Sequence, residues 1–330
     1  MIRPARLQPG DTIMFVAPAS ELEEKRMLLA KKRLEARGYQ VKFRDDLFEQ
    51  EGYLAGSDER RAEELMQAFL DPEVQAVFPG TGGYGTMRIL DRLDYKAIRA
   101  NPKLLIGFSD ITALHAAINR HAGLITWHSP APMWGLGGYP NPEKLGRNNL
   151  TPFSAKYFFA AIEANDNGQP RPLAYTIETP AGVPQPVAIG KGKARGRLTG
   201  GNLSLVVALE GTPYALETRD AILLLEDTRE APYRVDRMLR QLQLAGKLKH
   251  LRGAVLGQFT KSFDREDNET EDPRYLVNGV LRQYFEPLGI PVLMNYPIGH
   301  HSMNATLPLG GEVEIDADAG VIRVLGDGGQ

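Results

Sequence analysis

The stretch LLIGFSDITALHAAINRH, residues 104–121, changes from a strand pattern to a helical pattern within a few residues. Residues 104–106 form a short, continuous apolar run, which is typical of a strand buried on both faces. GFSD at 107–110 then leads into a helical pattern over 112–121. A strand that turns sharply into a helix is the unit from which parallel α/β sheets are built. Side chains at such a turn point into the crevice beyond the carboxyl ends of the strands.

The same alternation runs through the first half of the chain. Ser20 and Glu23 match the capping box and predict a helix that ends at Gly38. Ser57 predicts the N-cap of a second helix. Buried strands are predicted at residues 12–16, 41–43, 74–78 and 104–106. We therefore predict an N-terminal domain over 1–165, built on a doubly wound parallel sheet.

The pattern changes in the second half. Residues 166–188 are rich in proline and predict a linker. Helices are predicted at 231–247 and from Asp272 onward. Short strands are predicted at residues 221–225, 254–259, 292–294, 312–315 and 321–325. We therefore predict a C-terminal domain over 189–330 that is mixed α/β and β-rich.

Composition excludes several classes of protein. The chain has 330 residues, 42% of them hydrophobic, and a net charge of -2. Without an excess of basic residues it cannot neutralise a phosphate backbone, so nucleic acid is not an expected partner. The absence of cysteine excludes disulfides and thiolate chemistry. We see neither a signal peptide nor a membrane span, and we expect a cytoplasmic protein.

Ser109 is the candidate nucleophile. A serine at a strand-to-helix turn exposes its hydroxyl, and the N–H group of the next residue, Asp110, can help to bind an oxyanion. The motif is not G-x-S-x-G, because Ile111 takes the place of the last glycine. The alternative interpretation is that Ser109 only caps the following helix.

The loop GTGGYG at residues 80–85 literally matches G-x-G-x-x-G, the dinucleotide fingerprint. It follows the third strand rather than the first, and the next strand lacks an acid at the usual spacing of about 20 residues. We interpret the loop as a wall of exposed backbone N–H groups facing Ser109. A tight turn without a ligand and a nucleotide-binding oxidoreductase remain as alternatives.

Candidate acid and base residues lie in the second half. Glu226 and Asp227 end an apolar strand, from which a carboxylate can orient an imidazole. Either of them could instead cap the following helix. His300 and His301 lie in a loop, where a base could approach a nucleophile or simply be solvated. There is no H-E-x-x-H or comparable ligand spacing, so zinc is disfavoured.

Five motifs in this order resemble one family. They are GGYG at 82–85, GFSD at 107–110, GGNL at 200–203, LED at 225–227, and GH at 299–300 with PLG at 308–310. Together they resemble the LD-carboxypeptidases, or muramoyltetrapeptide carboxypeptidases, which include the microcin C self-immunity hydrolases. The resemblance extends over nearly the whole chain.

The resemblance implies a serine peptidase with a triad split between two domains. By it, Ser109 is the nucleophile, His300 the general base and Glu226 the residue that orients the imidazole. His300 is preferred to His301 because it matches the Gly-His step of the family.

The resemblance also implies an oxyanion hole made by the Asp110 amide and a glycine amide. Gly83 is favoured for the latter, and Gly82 stays open. The expected reaction releases C-terminal D-alanine from a murein tetrapeptide during peptidoglycan recycling, and it is expected to need no metal or organic cofactor. The expected partners are therefore a small peptide substrate and, because the family suggests it, a second copy of the chain in a homodimer.

Two departures from the family pattern bear on the substrate. Thr81 stands where members usually carry arginine, and residues 128–133 read HSPAPM instead of beginning His-Gly-Pro-Met. An alternative substrate is a peptidyl-nucleotide antibiotic, detoxified by amide cleavage. Trp127 and Trp134 could then stack a base, although packing is the simpler role for both.

Overall fold

The computed structural model describes residues 1–138, 150–166, 168–261 and 272–326. The chain divides into two compact units, of which the first comprises Met1–Pro172 with Ser302–Gly310. The second comprises Leu173–His301 with Gly311–Gln330. The chain thus passes into the first unit a second time over nine residues near its C-terminus. The predicted boundaries, 1–165, 166–188 and 189–330, stay a prediction.

Strands and helices alternate through most of the described residues. The strands are β1 (Thr12–Val16), β2 (Gln40–Lys42), β3 (Val74–Pro79), β4 (Leu104–Gly107), β5 (Thr126–His128), β6 (Asn165–Asp166), β7 (Gln169–Pro170), β8 (Tyr175–Ile177), β9 (Val187–Ile189), β10 (Lys193–Asn202), β11 (Ala221–Thr228), β12 (Gly253–Thr260), β13 (Val292–Met294), β14 (Leu307–Leu309), β15 (Glu312–Asp316) and β16 (Val321–Val324). The α-helices are α1 (Glu24–Glu35), α2 (Asp58–Leu70), α3 (Tyr95–Ala100), α4 (Thr112–Ala117), α5 (Pro152–Ile162), α6 (Leu203–Ala208), α7 (Pro232–Leu244) and α8 (Val277–Phe285). Short 3₁₀ segments are Thr86–Arg92, Ser109–Ile111, Pro273–Tyr275 and Glu286–Leu288, and Ile118–Ala122 is a π-helical turn.

The first unit holds a six-stranded sheet with the order β14-β5-β4-β3-β1-β2. Strands β1 to β4 are parallel, as predicted, and β5, which was not predicted, extends them in parallel, whereas β14 pairs antiparallel to β5. The order 2-1-3-4-5 places the topological switch point between β1 and β3, and ligands of such sheets bind beyond the carboxyl ends of the strands there. The loops after β1 and β3 are therefore the expected walls of a site.

Local helix signals were partly overruled by tertiary contacts. Ser57 caps α2, as predicted, by accepting a hydrogen bond from the Arg60 N–H at 3.2 Å. The predicted capping box at Ser20 and Glu23 is wrong. Helix α1 begins at Glu24 without a side-chain cap, and the Ser20 hydroxyl accepts from the N–H of Tyr84 instead. The Tyr84 N–H takes the place of a helix N–H as donor, because either group can satisfy the Ser20 hydroxyl oxygen.

The second unit holds an eight-stranded sheet with the order β8-β16-β15-β10-β11-β12-β13-β9. Its centre, β10 to β13, is parallel, and the strands on both sides are antiparallel, so the predicted mixed α/β class is confirmed. The proline-rich stretch 166–188 supplies β8 and the start of β9, which form the two edges of this sheet. The prolines of the stretch lie outside β8 and β9, so neither edge strand loses a ladder N–H group to proline.

No helix among the described residues is both long and apolar enough to cross a bilayer.

Candidate active site

Ser109 lies on the predicted turn between β4 and the helical segment that follows it. Its φ angle is +62°, a left-handed conformation that is uncommon for a residue with a side chain. It is the first residue of the 3₁₀ segment Ser109–Ile111, whose N-cap position is taken by Phe108. Ser109 therefore occupies a strained turn and not the capping position that was its alternative interpretation.

Glycines make room for this turn. Gly107 has a φ of +150°, and a Cβ atom there would lie 2.7 Å from the Ile111 side chain. A Cβ atom on Gly82 would lie 3.0 Å from both the Asp110 nitrogen and the Ser109 Cβ. The glycine-rich loop after β3 and the serine turn after β4 are thus in direct contact within the first unit.

Ser20, in the segment after β1, holds the glycine-rich loop from its other side. Its backbone N–H donates to the Gly82 carbonyl at 3.3 Å, and its hydroxyl accepts from the Tyr84 N–H at 3.2 Å. Because a trans peptide directs its C=O and N–H to opposite sides, the N–H of Gly83 points away from the Ser20 nitrogen. Sequence reasoning missed this role of Ser20, since its only local signal was the capping pattern.

A buried histidine, His115, is hydrogen-bonded to the residue at which the serine turn begins. The His115 ring is 1% exposed, and its Nε2 lies 3.0 Å from the Gly107 carbonyl oxygen. Since a carbonyl only accepts, Nε2 carries the proton. Burial lowers the pKa of His115 to about 3, so the ring stays neutral at ordinary pH. His115 is therefore a structural part of the turn and not a base at ordinary pH.

Glu226 and His300 meet in the second unit. The Glu226 side chain is fully buried, and its Oε2 accepts from His300 Nδ1 at 2.7 Å and from the His300 backbone N–H at 3.2 Å. Gly299, with a φ of +103°, makes this approach possible, because a Cβ atom there would overlap Glu226 Oε2. The adjacent His301 is exposed. Of the two candidate histidines, the structure therefore places His300 against the acid.

Asp227 has a different task from its neighbour. Its carboxylate accepts from the Asn202 side chain at 3.0 Å and from the Ser204 N–H and hydroxyl at 2.9 and 2.6 Å. It thus serves the first turn of α6, and the alternative in which it caps the following helix is wrong. Burial and then the Glu226 charge raise the pKa of Asp227, and its hydrogen bonds to Ser204 oppose that rise.

Within the first unit, Gly82 lies against Ser109 and Asp110, and the next residue, Gly83, lies against Ser20. Within the second unit, Glu226 and His300 are hydrogen-bonded. The described residues contain no group of three or more His, Asp or Glu side chains arranged to hold a metal ion.

Comparison with known proteins defines the class. Models of the LD-carboxypeptidase N-terminal domain and of the LD-carboxypeptidase C-terminal domain match residues 13–129 and 195–315. The two domains together are those of a carboxypeptidase, a class of hydrolase. The chain belongs to the LD-carboxypeptidase family.

Individual relatives cover almost the full chain. A probable murein peptide carboxypeptidase of Bacillus subtilis is 36% identical over 95% of this chain and 91% of its own. The microcin C7 self-immunity protein, solved as a mutant with adenosine monophosphate, has a TM-score of 0.83 at 27% identity and covers 99% of both chains. The muramoyltetrapeptide carboxypeptidase of Oxalobacter formigenes has a TM-score of 0.77 at 28% identity and covers 95% of this chain and 97% of its own.

Proposed function

We propose that this chain is a serine carboxypeptidase that hydrolyses the amide between an L-centre and a C-terminal D-amino acid. The proposed substrate is the murein tetrapeptide, from which D-alanine is released. Ser109 is the proposed nucleophile, His300 the base and Glu226 the orienting acid. The family membership supports the reaction class, and the names of the Bacillus and Oxalobacter relatives support the substrate.

The observation that carries the proposal is the hydrogen bond between His300 Nδ1 and Glu226 Oε2, at 2.7 Å. A carboxylate that engages Nδ1 sets the tautomer in which Nε2 can accept a proton. The same carboxylate stabilises the imidazolium that forms when the proton arrives. Because Glu226 is completely buried, its attraction for that cation is weakly screened by solvent.

The proposed reaction has two steps. First, His300 Nε2 takes the Ser109 hydroxyl proton as Oγ attacks the scissile carbonyl carbon. The tetrahedral intermediate then collapses, the C–N bond breaks, and the imidazolium returns the proton to the leaving D-alanine amine. In the second step, a water molecule activated by the same imidazole hydrolyses the acyl-enzyme and restores the serine.

The proposed oxyanion hole consists of the Asp110 N–H and the Gly83 N–H. The orientation of the 82–83 peptide supports Gly83 over Gly82, because the Gly82 carbonyl is held by Ser20 and the Gly83 N–H points the opposite way. Removing one such donor from an acyl-transfer site typically lowers kcat by about 10²–10³-fold.

Mass spectrometry of a murein tetrapeptide incubated with wild type and with Ser109→Ala tests the proposal. We expect wild type alone to release D-alanine. Ser57→Ala is the matched control, because it also removes a serine hydroxyl but lies at the N-cap of α2. Equal release by wild type and Ser109→Ala would reject Ser109 as the nucleophile, and no release by wild type would reject this substrate.

The likeness to the microcin C7 self-immunity protein favours a second candidate substrate, a peptidyl-nucleotide cleaved at its amide. Trp127 does not suit base stacking, since it is 2% exposed within the first sheet. Trp134 donates its indole N–H to the Thr81 hydroxyl at 2.9 Å, and the Arg26 guanidinium lies over its ring. Inhibition of tetrapeptide cleavage by adenosine monophosphate would favour the second substrate, and its absence the first.

The cytoplasmic location, the homodimeric state and the domain boundaries remain predictions. Light scattering of the purified protein would test the dimer.

A further inference from the structure

We propose that Asp110 and Thr86 form a positioning pair, in which the Asp110 carboxylate holds the serine turn and the glycine-rich loop in register. The inference rests on the proposed function and deepens it, because only the backbone N–H of Asp110 has a role in the proposed oxyanion hole. The side chain makes a separate set of contacts.

The contacts converge on one oxygen atom. Asp110 Oδ2 accepts from the Thr86 backbone N–H at 2.8 Å and from the Thr86 hydroxyl at 2.5 Å. Both residues are buried, with 2% of Asp110 and none of Thr86 exposed. Asp110 directly follows the proposed nucleophile, and Thr86 directly follows the last glycine of the loop at 80–85. A single carboxylate therefore ties together the two backbone segments that would supply the oxyanion donors.

Such a tie has a specific use at this turn. Ser109 adopts a φ of +62°, and a conformation of this kind persists only where the surrounding structure enforces it. Anchoring the Asp110 side chain restricts the rotation of its own backbone, and with it the direction of its N–H group. Because an oxyanion donor must point to where charge develops, a small rotation would reduce catalysis more than substrate binding.

A buried cation, the Arg61 guanidinium, attracts the Asp110 carboxylate. Burial raises the pKa of Asp110, and the Thr86 hydrogen bonds and then the Arg61 guanidinium oppose part of that rise. Arg61 is itself fully buried and donates to the Gly85 carbonyl at 2.8 Å and to the Pro18 carbonyl at 2.6 Å. It also pairs with Asp58. The Arg61 charge thus lies at Gly85, the last residue of the glycine-rich loop, which Thr86 directly follows.

Steady-state kinetics of Thr86 and Asp110 variants test the pair. Thr86→Val removes the hydroxyl donor with little change of shape, and we expect kcat to fall about 10-fold with KM within about twofold. Thr86→Ser keeps the donor and should retain kcat within about twofold. Asp110→Asn replaces the carboxyl acceptor by an amide and should lower kcat by about 10–100-fold. Thr126→Val removes another fully buried threonine hydroxyl of the first unit, one that accepts from the Asn119 side chain, and is the control for the loss of a buried hydrogen bond.

Two readouts separate this inference from the proposed function. The first is kcat on murein tetrapeptide, and the second is the rate at which a fluorophosphonate labels Ser109, which does not depend on the peptide. A wild type that labels but does not cleave rejects the substrate, and the labelling rates of the variants then test the pair. Unchanged rates in Thr86→Val, an equal loss in Thr86→Ser or Thr126→Val, or a wild type that neither labels nor cleaves would each overturn the inference.

Discussion

In the first unit, the main chain places the candidate nucleophile. Ser109 owes its position to a left-handed φ, to Gly107 before it and to Gly82 against it. In the second unit, a side-chain hydrogen bond of 2.7 Å places His300 against Glu226, and a glycine provides only the space. The two regions should therefore fail in different ways. Backbone changes should harm the first, whereas loss of a single acceptor should harm the second.

The largest expected effect tests whether Ser109 and His300 act in the same chemical step. Ser109→Ala and His300→Ala should each lower kcat by about 10⁴-fold or more, because each removes a member of the proposed triad. The double variant should be no slower than the worse single variant. Multiplied losses in the double variant would show that Ser109 and His300 do not act in one step. Denaturation midpoints of all three variants check that they are folded.

Gly299→Ala should show whether Gly299 matters because it leaves space for Glu226 or because it permits a positive φ. The new methyl group would overlap Glu226 Oε2, so we expect kcat to fall by about 100-fold. Gly192→Ala is the matched control, because Gly192 also has a positive φ, of +85°, but open space around its Cβ position. The control should lose stability to backbone strain yet keep kcat. Equal kcat losses in the two variants would mean that strain, not the Glu226 contact, matters.

His115→Gln tests, in the first unit, how the buried histidine beneath the serine turn makes stability depend on pH. The pKa of His115 falls from 6.5 in the unfolded chain to about 3 on burial. The unfolded state therefore binds more protons between these pH values, and the contribution of neutral His115 to stability, complete above pH 6.5, is lost as the pH falls. Near pH 5, wild type should have lost about 2 kcal/mol relative to the variant.

Urea unfolding at pH 5 and pH 8 measures this difference. The exposed His250, changed to glutamine, is the control and should show the pH dependence of wild type. A wild type and a His115→Gln variant with parallel pH profiles would contradict the assigned burial.

Ser20→Ala should have the smallest effect. It removes the acceptor of the Tyr84 N–H but leaves the Ser20 backbone bond to Gly82, so we expect under about 1 kcal/mol of lost stability. Because the glycine-rich loop loosens, kcat should still fall about two- to fivefold. Ser57→Ala should do the reverse, with about 1 kcal/mol of lost helix capping and an unchanged kcat. A kcat for Ser20→Ala equal to that of wild type would limit the role of Ser20 to folding.

The sequence by itself determined the α/β alternation and the strand-to-helix turn at Ser109. It also determined β11 to β13 of the second sheet, because their apolar runs and glycine boundaries are local signals. It did not predict the fourth central strand, β10, whose residues 193–202 contain no apolar run. The motif order predicted the family as well. Recognition of the motifs succeeded because closely spaced residues carry them.

Only the tertiary structure decided which distant groups meet. It assigned residues 307–309 to the edge of the first sheet, and it made 175–177 and 187–189 the edges of the second. It made Ser20 a hydrogen-bond partner of the glycine-rich loop instead of a helix cap. It also brought His300 rather than His301 into contact with Glu226. Each outcome depends on a partner that is remote in sequence. Local propensity cannot specify such a choice, because several acceptors compete for each donor until the chain is packed.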